Sequence, residues 1–319
     1  MEAVEDIQDK LICSLQKIFN VNFKLENKAV PRKKRPAISV IITCYNYGEY
    51  LMEAIGSVKR QTFEDYELIL IDDCSTNKYT NQLINRLSYK WDLVEMEMDC
   101  NAEGINSHIG GNIKIIQNKT NKGVCESRNI ATKRAKGKYI LYLDADDYLN
   151  KNCLQEMYNK IEEGYDIVGS NNNTIGKGDF IKPKFDKYDL CNQNYFSITS
   201  LFRKSLFYKK GGFNLNMKEG SEDYEFWIGL LQDGARYYNI KNNLFNYRSR
   251  EASRNVQAEK FRDQLKERII SNNPKIYNWF VKQTVFKIKR FQKKTNLLKK
   301  FLITSLVINV LSIILLLIN

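Results

Sequence analysis

Histidine is almost missing from this chain: one in 319 residues, His108, in a Gly/Asn-rich stretch. Histidine-based acid/base catalysis and His-rich metal centres are therefore set aside. Seven cysteines (Cys13, Cys44, Cys74, Cys100, Cys125, Cys153, Cys191) are odd in number and scattered, with no CxxC pair. They read as reduced thiols rather than a disulfide framework or a zinc site. No GxxxxGK[ST] loop occurs, and no GxGxxG follows a predicted strand, so P-loop and dinucleotide readings have no support. Acid is absent from one long stretch: residues 281–300 carry eight Lys/Arg and no Asp or Glu. The next 18 residues, 301–318, carry no charge at all. What is present otherwise, 43% hydrophobic and 27% charged residues, is the composition of a folded protein large enough for one big or two ordinary domains.

The net charge of +13 suits nucleic acid, an anionic membrane or a phosphorylated substrate. Part of the excess forms a collar beside the apolar tail, which favours a membrane and disfavours nucleic acid. Eighteen helical residues span about 27 Å against a bilayer core of about 30 Å. The tail is thus barely long enough, and Asn309 and Ser312 weaken it. A core or oligomer helix is the competing reading; the basic collar argues against it, since it fits anionic headgroups and the positive-inside rule. The expectation is a single-pass C-terminal anchor at 301–318, one transmembrane helix, with the catalytic part facing the cytosol.

Residues 1–9 are acidic where a secretory leader would be basic, so no leader is expected. Val4, Ile7, Leu11, Leu15, Ile18 and Phe19 recur at helical spacing, and PRKKRP at 31–36 reads as a basic linker. Residues 1–36 are taken as this helix and linker, 37–250 as the main domain and 251–300 as a charged helical connector.

From residue 37 short β-branched runs alternate with helical patterns. Strands are predicted at 38–43, 67–71, 113–116, 139–143 and 165–169. Helices are predicted at 50–61, 81–87, 123–135 and 152–161. The polar stretch 90–111 reads as an insertion. The alternation implies an α/β fold with a doubly wound, mostly parallel sheet. Right-handed crossovers put the strand C-termini on one edge, where ligands bind. Thr43 and Tyr45, Asp72 and Asp73, and Asp144 and Asp146 should converge there.

The most unusual stretch on that edge is KYILYLDADDY at 138–148. Three carboxylates in four residues repel one another unless a cation or donor groups neutralise them. An acidic turn is the plain alternative. Hard carboxylate oxygens suit Mg²⁺ or Mn²⁺, which would stabilise a departing diphosphate. A further carboxylate would deprotonate an attacking hydroxyl. At 221–231, SEDYEFWIGLL reads as a helix with Ser221 as N-cap and acids in its first turn.

Three segments together resemble the family 2 glycosyltransferases with the GT-A fold: SVIITCYNYGEYLMEAIGSVKRQTFEDYELILIDDCS, NKGVCESRNIATKRAKGKYILYLDADDYL and GGFNLNMKEGSEDYEFWIGLL. The resemblance runs from about residue 37 to 250. It implies an inverting transferase that takes a nucleotide-diphosphate sugar, typically a UDP-sugar, and a glycan, lipid-linked or protein acceptor. It further implies that Thr43 and Tyr45 contact the nucleotide, that Asp73 hydrogen-bonds the base and that Arg128 lies near the nucleotide. Asp144 and Asp146 match the DxD motif, with Asp146 on the metal (Mn²⁺ or Mg²⁺) and Asp144 shared between metal and ribose. Asp223 matches the catalytic base, with Glu222 beside it. Asp72 and Asp147 are given structural roles. The segment NYRSREASRN departs from relatives that carry a His after a Tyr-Arg pair, so Arg248 or Arg250 would stabilise the leaving phosphate instead. Two other readings compete. One is a degenerate, membrane-tethered binding or scaffold protein; the other is a nucleotidyltransferase, for which CYNYGEY makes a poor nucleotide loop.

Overall fold

The computed structural model describes residues 35–91, 94–96, 113–250 and 258–318. The chain divides into two compact units, Met1–Arg35 and Pro36–Asn319. The expected N-terminal helix, most of the basic linker, His108 and most of the 90–111 insertion lie outside the described residues; the described part of that insertion ends a helix at Trp91 and forms a strand at Val94–Met96.

The second unit is built on a sheet of ten strands. In chain order these are β1 (Ile38–Cys44), β2 (Tyr66–Asp72), β3 (Val94–Met96), β4 (Ile113–Gln117) and β5 (Tyr139–Asp144), then β6 (Tyr148–Leu149), β7 (Ile167–Thr174), β8 (Gly178–Phe180), β9 (Leu201–Arg203) and β10 (Tyr237–Tyr247). The helices are α1 (Gly48–Lys59), α2 (Lys78–Trp91), α3 (Val124–Arg134), α4 (Cys153–Glu162), α5 (Lys204–Lys210), α6 (Glu222–Gln232), α7 (Arg262–Asn272) and α8 (Pro274–Ile318). Strand order across the sheet is β3-β4-β2-β1-β5-β9-β7-β10-β6, with β8 beside β7.

The stretch from β3 to β5 is parallel, as the alternation predicts. Beyond β5 the sheet is mixed: β9 lies antiparallel to both β5 and β7, β10 is parallel to β7, and β6 is antiparallel to β10. The expectation of a mostly parallel sheet is corrected for this half. The cause is β9, a three-residue strand that returns from a long loop rather than a helical crossover. Three residues are too few for a period to show in sequence.

Pairing register fixes the site. β1 and β2 run in step from Ile38 opposite Tyr66 to Cys44 opposite Asp72. β1 and β5 run in step to Thr43 opposite Asp144. Three strands therefore end together. Their interiors are wholly buried because both faces are covered. One face carries Ile38, Val40 and Ile42 against Leu51, Ile55 and Val58 of α1 and Leu154, Met157 and Ile161 of α4. The other carries Ile41, Ile69, Ile140 and Tyr142 against Phe226 and Trp227 of α6, with Leu265 and Ile269 of α7 behind them. Each such side chain contributes roughly 1.5–3 kcal/mol.

Pro274 opens α8, where a missing N–H costs nothing. The first turns dock: Ile276 and Tyr277 are buried, Phe280 lies 4.6 Å from the Tyr188 ring, and Tyr188 shares a 2.8 Å hydrogen bond with Thr284. Lys287 Nζ lies 3.2 Å over the Tyr188 ring, and the helix continues unbroken through residue 318. Among the described residues no helix is long and apolar enough to cross a membrane. The expected transmembrane helix is therefore not supported, although its residues are helical.

Candidate active site

Arg128, near the start of α3, is buried beneath the strand ends. One terminal nitrogen donates to Asp144 Oδ1 at 2.8 Å and the other to Glu222 Oε1 at 2.9 Å. Glu222 is 94 residues away in the chain and opens α6 directly before Asp223. The guanidinium also lies 5.5 Å from the Phe213 ring and 5.7 Å from Tyr142. Burial alone would lower its pKa, but Asp144 and Glu222 hold it above the ordinary value. The cation therefore stays fixed. Thr43, opposite Asp144 in the sheet, donates its hydroxyl to Asp144 Oδ1 at 3.3 Å.

Asp146 pairs through Oδ2 with Arg250. Burial and neighbouring Asp144 raise its pKa, while Arg250 pulls it down. The Arg250 guanidinium lies over the Tyr47 ring at 4.1 Å and near the Tyr50 ring at 5.5 Å. Arg248 packs on Tyr50 at 4.6 Å, donates to Glu53 at 2.7 Å and reaches the Asp146 carbonyl at 3.0 Å. Tyr47, Tyr50 and Glu53 were not singled out in the sequence. Their signal is a shared face across the first turns of α1, legible only once Arg248 and Arg250 are known to return to it. Asp147 accepts the Arg248 N–H at 2.9 Å, and burial pushes its pKa well up. Its role is to hold the end of β10 against the acidic turn.

Asp223 sits half-buried in the first turn of α6. Its Oδ1 accepts the Tyr224 N–H at 2.7 Å and its Oδ2 accepts Asn194 Nδ2 at 3.3 Å. Burial and the adjacent Glu222 push its pKa up to about 6, against the pull of the Tyr224 N–H and Arg128. A helix N-terminus would be expected to lower it; here burial wins. Ser221 occupies the N-cap position with φ 53 and makes no side-chain cap bond, so the expected cap is corrected to a left-handed link. Two other rim residues, Asn46 (φ 63) and Cys74 (φ 59), share that conformation. Strained backbone of this kind gathers at functional sites. Asn46 spans the rim, its Oδ1 accepting the N–H groups of Thr76 and Asn77 at 2.8 Å each.

Asp73 stands apart from these carboxylates. Its Oδ1 accepts Asn118 Nδ2 and the Lys122 N–H, and its Oδ2 accepts the Gly123 N–H, all at 2.8 Å. It fastens the end of β2 to the N-terminus of α3. Asn118 also donates to Ser127 Oγ at 2.9 Å, one residue before Arg128. Asp72 accepts the Ser75 hydroxyl at 2.5 Å and shapes the turn; burial raises its pKa. Tyr45 is 40% exposed on the rim.

The structure thus brings Thr43, Arg128, Asp144, Asp146, Asp223, Arg248 and Arg250 to one edge. A divalent ion fits only a small donor set there. Among the described residues no group of three or more His, Cys, Asp or Glu side chains is placed to hold a metal. Asp144 and Asp146 offer two carboxylates, each with one oxygen taken by an arginine. Two carboxylates suffice for Mg²⁺ or Mn²⁺ when substrate phosphates complete the shell.

Known proteins share this architecture. An uncharacterized glycosyltransferase of Methanocaldococcus jannaschii is 27% identical over 80% of this chain and 81% of its own. The poly(ribitol-phosphate) β-N-acetylglucosaminyltransferase TarS of Staphylococcus aureus is 28% identical over 64% of this chain, which spans only 35% of that protein. The structure of TarS residues 1–349 with UDP-GlcNAc superposes with TM-score 0.54 at 24% identity, over 70% of this chain and 60% of that one. A Pyrobaculum calidifontis mannosyltransferase, solved with GDP-Man and Mn²⁺, superposes with TM-score 0.52 at 14% identity, over 77% of this chain and 74% of that one. The sequence model described as Glycosyl transferase family 2 matches residues 39–225, from β1 into α6; it covers every carboxylate of the site but neither Arg248 nor Arg250. The chain therefore belongs to the family 2 glycosyltransferase enzymes.

Proposed function

We propose that the strand-end site transfers a sugar from a nucleotide-diphosphate donor, of the UDP-sugar class, to an acceptor hydroxyl with inversion. One observation carries this reading. The buried Arg128 ties Asp144, at the end of β5, to Glu222, beside Asp223 at the start of α6. The donor carboxylates and the base are thereby parts of one rigid assembly. The UDP-GlcNAc complex of TarS and the Mn²⁺ complex of the mannosyltransferase support the donor class and the metal.

In this mechanism Asp223 accepts the proton of the acceptor hydroxyl at Oδ2. The oxygen forms a bond to the anomeric carbon on the face opposite the diphosphate. The anomeric carbon–phosphate oxygen bond breaks, and the nucleoside diphosphate leaves with the electron pair. Arg248 and Arg250 present fixed positive charge to the leaving group, held by their stacking on Tyr47 and Tyr50. Asp144 and Asp146 would hold the Mn²⁺ or Mg²⁺, which when bound neutralises charge on the diphosphate. Thr43, Tyr45 and Asp73 line the nucleotide side of the site. The test is Asp223→Asn: donor binding is retained and transfer falls by about 10²–10⁴-fold. Transfer at the wild-type rate removes Asp223 as base.

A binding protein without transfer activity is the second reading, favoured by the Arg250–Asp146 pair, which already neutralises one metal-directed carboxylate. Transfer of sugar by the wild type in a donor–acceptor assay would decide against it.

The proposal extends to location. Along α8, Phe286, Phe291, Leu297 and Phe301 are exposed among Lys289, Arg290, Lys293 and Lys294. Apolar side chains interleaved with cations suit an anionic bilayer surface. The enzyme is proposed to work at the cytosolic face of a membrane, held by this helix.

A further inference from the structure

The segment between β8 and β9 carries a lysine that the transfer chemistry leaves unused. Lys182 is half-buried. Its backbone N–H donates to Asn171 Oδ1 on β7 at 3.1 Å, and its Nζ donates to Ser197 Oγ at 3.1 Å. An ammonium has three donors, and among the described residues no carboxylate pairs with this one. Asn194, three residues before Ser197, donates to Asp223 Oδ2 at 3.3 Å. One loop thus holds both Lys182 and the base, and the Asp223 charge reaches Lys182.

Burying an ammonium beside only a hydroxyl is unfavourable. Here burial drives the Lys182 pKa down to about 7, and an anion at Nζ would restore its charge. The anion is not the donor diphosphate, which Arg248 and Arg250 serve beside Asp146. The remaining reactant on the Asp223 side is the acceptor. We propose that Lys182, with Ser197 and Asn194, forms the acceptor subsite and selects acceptors bearing an anionic group, phosphate or carboxylate, next to the attacking hydroxyl. The proposal rests on Asp223 as the base of the transfer reaction.

The test uses the full chain saturated with UDP, so that the donor phosphate site is filled. Calorimetry then compares glucose 6-phosphate, glucuronate and glucose. The wild type is expected to bind at least one anionic sugar about 10-fold or more tighter than glucose, as a charge-assisted hydrogen bond supplies. The arm that binds tells phosphate from carboxylate. Lys182→Met should abolish the preference and Lys182→Arg should keep it, with UDP affinity unchanged in both. Equal binding of charged and uncharged sugars by the wild type, no binding of either, or a preference that survives Lys182→Met overturns the subsite. Absence of UDP binding by the wild type overturns the donor reading itself, and the subsite with it.

Discussion

At the scale of the residue, the account turns on charges held where water is scarce. Asp223 must be ionised to accept a proton, yet burial puts its pKa at about 6. Transfer should therefore rise as pH climbs through about 6 and fall away below it. The charged groups around Asp223 are Glu222 on its own helix, Arg128 from α3, Asp144 from β5 and Lys182 from the segment after β8. The same shift acts on the fold in a definite direction. A carboxylate whose folded pKa is raised binds its proton more tightly when folded, so stability falls as pH rises between the ordinary value and about 6. Asp223→Asn removes that cost. It should raise stability at pH 7.5 by on the order of 1–2 kcal/mol while losing activity, read by chemical denaturation beside a transfer assay. Arg128 works the other way. Arg128→Met leaves Asp144 and Glu222 facing each other uncompensated, at a cost of about 3–5 kcal/mol, visible as a large drop in denaturation midpoint.

The strand-end position of Asp144 and Asp146 was legible in the sequence because the acids break an apolar run, whereas Asp223 was singled out by the family resemblance. Lys182, Asn194, Tyr47 and Tyr50 were not legible, because their role exists only through contacts between segments far apart in the chain. Asp73 shows the limit of motif reading from the other side. Its place at the end of β2 was readable, but its fastening to Asn118, Lys122 and Gly123 belongs to the three-dimensional structure.

At the scale of the element, β1, β2, β4, β5 and α1 to α4 follow directly from alternating apolar periods, whereas β3 (Val94–Met96) falls in the stretch read as an insertion. β9 and α5 do not follow from such periods, since three and seven residues are shorter than a readable pattern. The link into α6 was misread for a different reason. Ser221 looks like a cap, but the chain turns there through Gly220 (φ 147) and Ser221 (φ 53). A Cβ at Gly220 would lie 2.4 Å from that of Ala258. Gly220→Ala should therefore cost about 1–3 kcal/mol and shift the start of α6, and Asp223 with it. The expected signature is a larger loss in kcat than in donor affinity.

At the scale of the molecule, the basic excess and the apolar tail belong to one 45-residue helix that docks on the domain by its first turns. Its cations should make binding to anionic vesicles salt-sensitive, each Lys or Arg near the surface contributing roughly 1 kcal/mol. Lys293→Glu with Lys294→Glu should weaken flotation with phosphatidylserine vesicles at low salt and leave donor binding untouched. Equal flotation of variant and wild type would separate the helix from the membrane. The central claim, however, concerns the strand ends. The most direct measurement is calorimetric titration of UDP-GlcNAc and GDP-mannose into the full chain, with and without Mn²⁺, for the wild type, Asp146→Ala and Asp223→Asn. The account predicts saturable binding of a nucleotide sugar by the wild type, at least about 10-fold weaker binding by Asp146→Ala and wild-type affinity for Asp223→Asn. No nucleotide-sugar binding by the wild type, or equal affinity in Asp146→Ala, would contradict it.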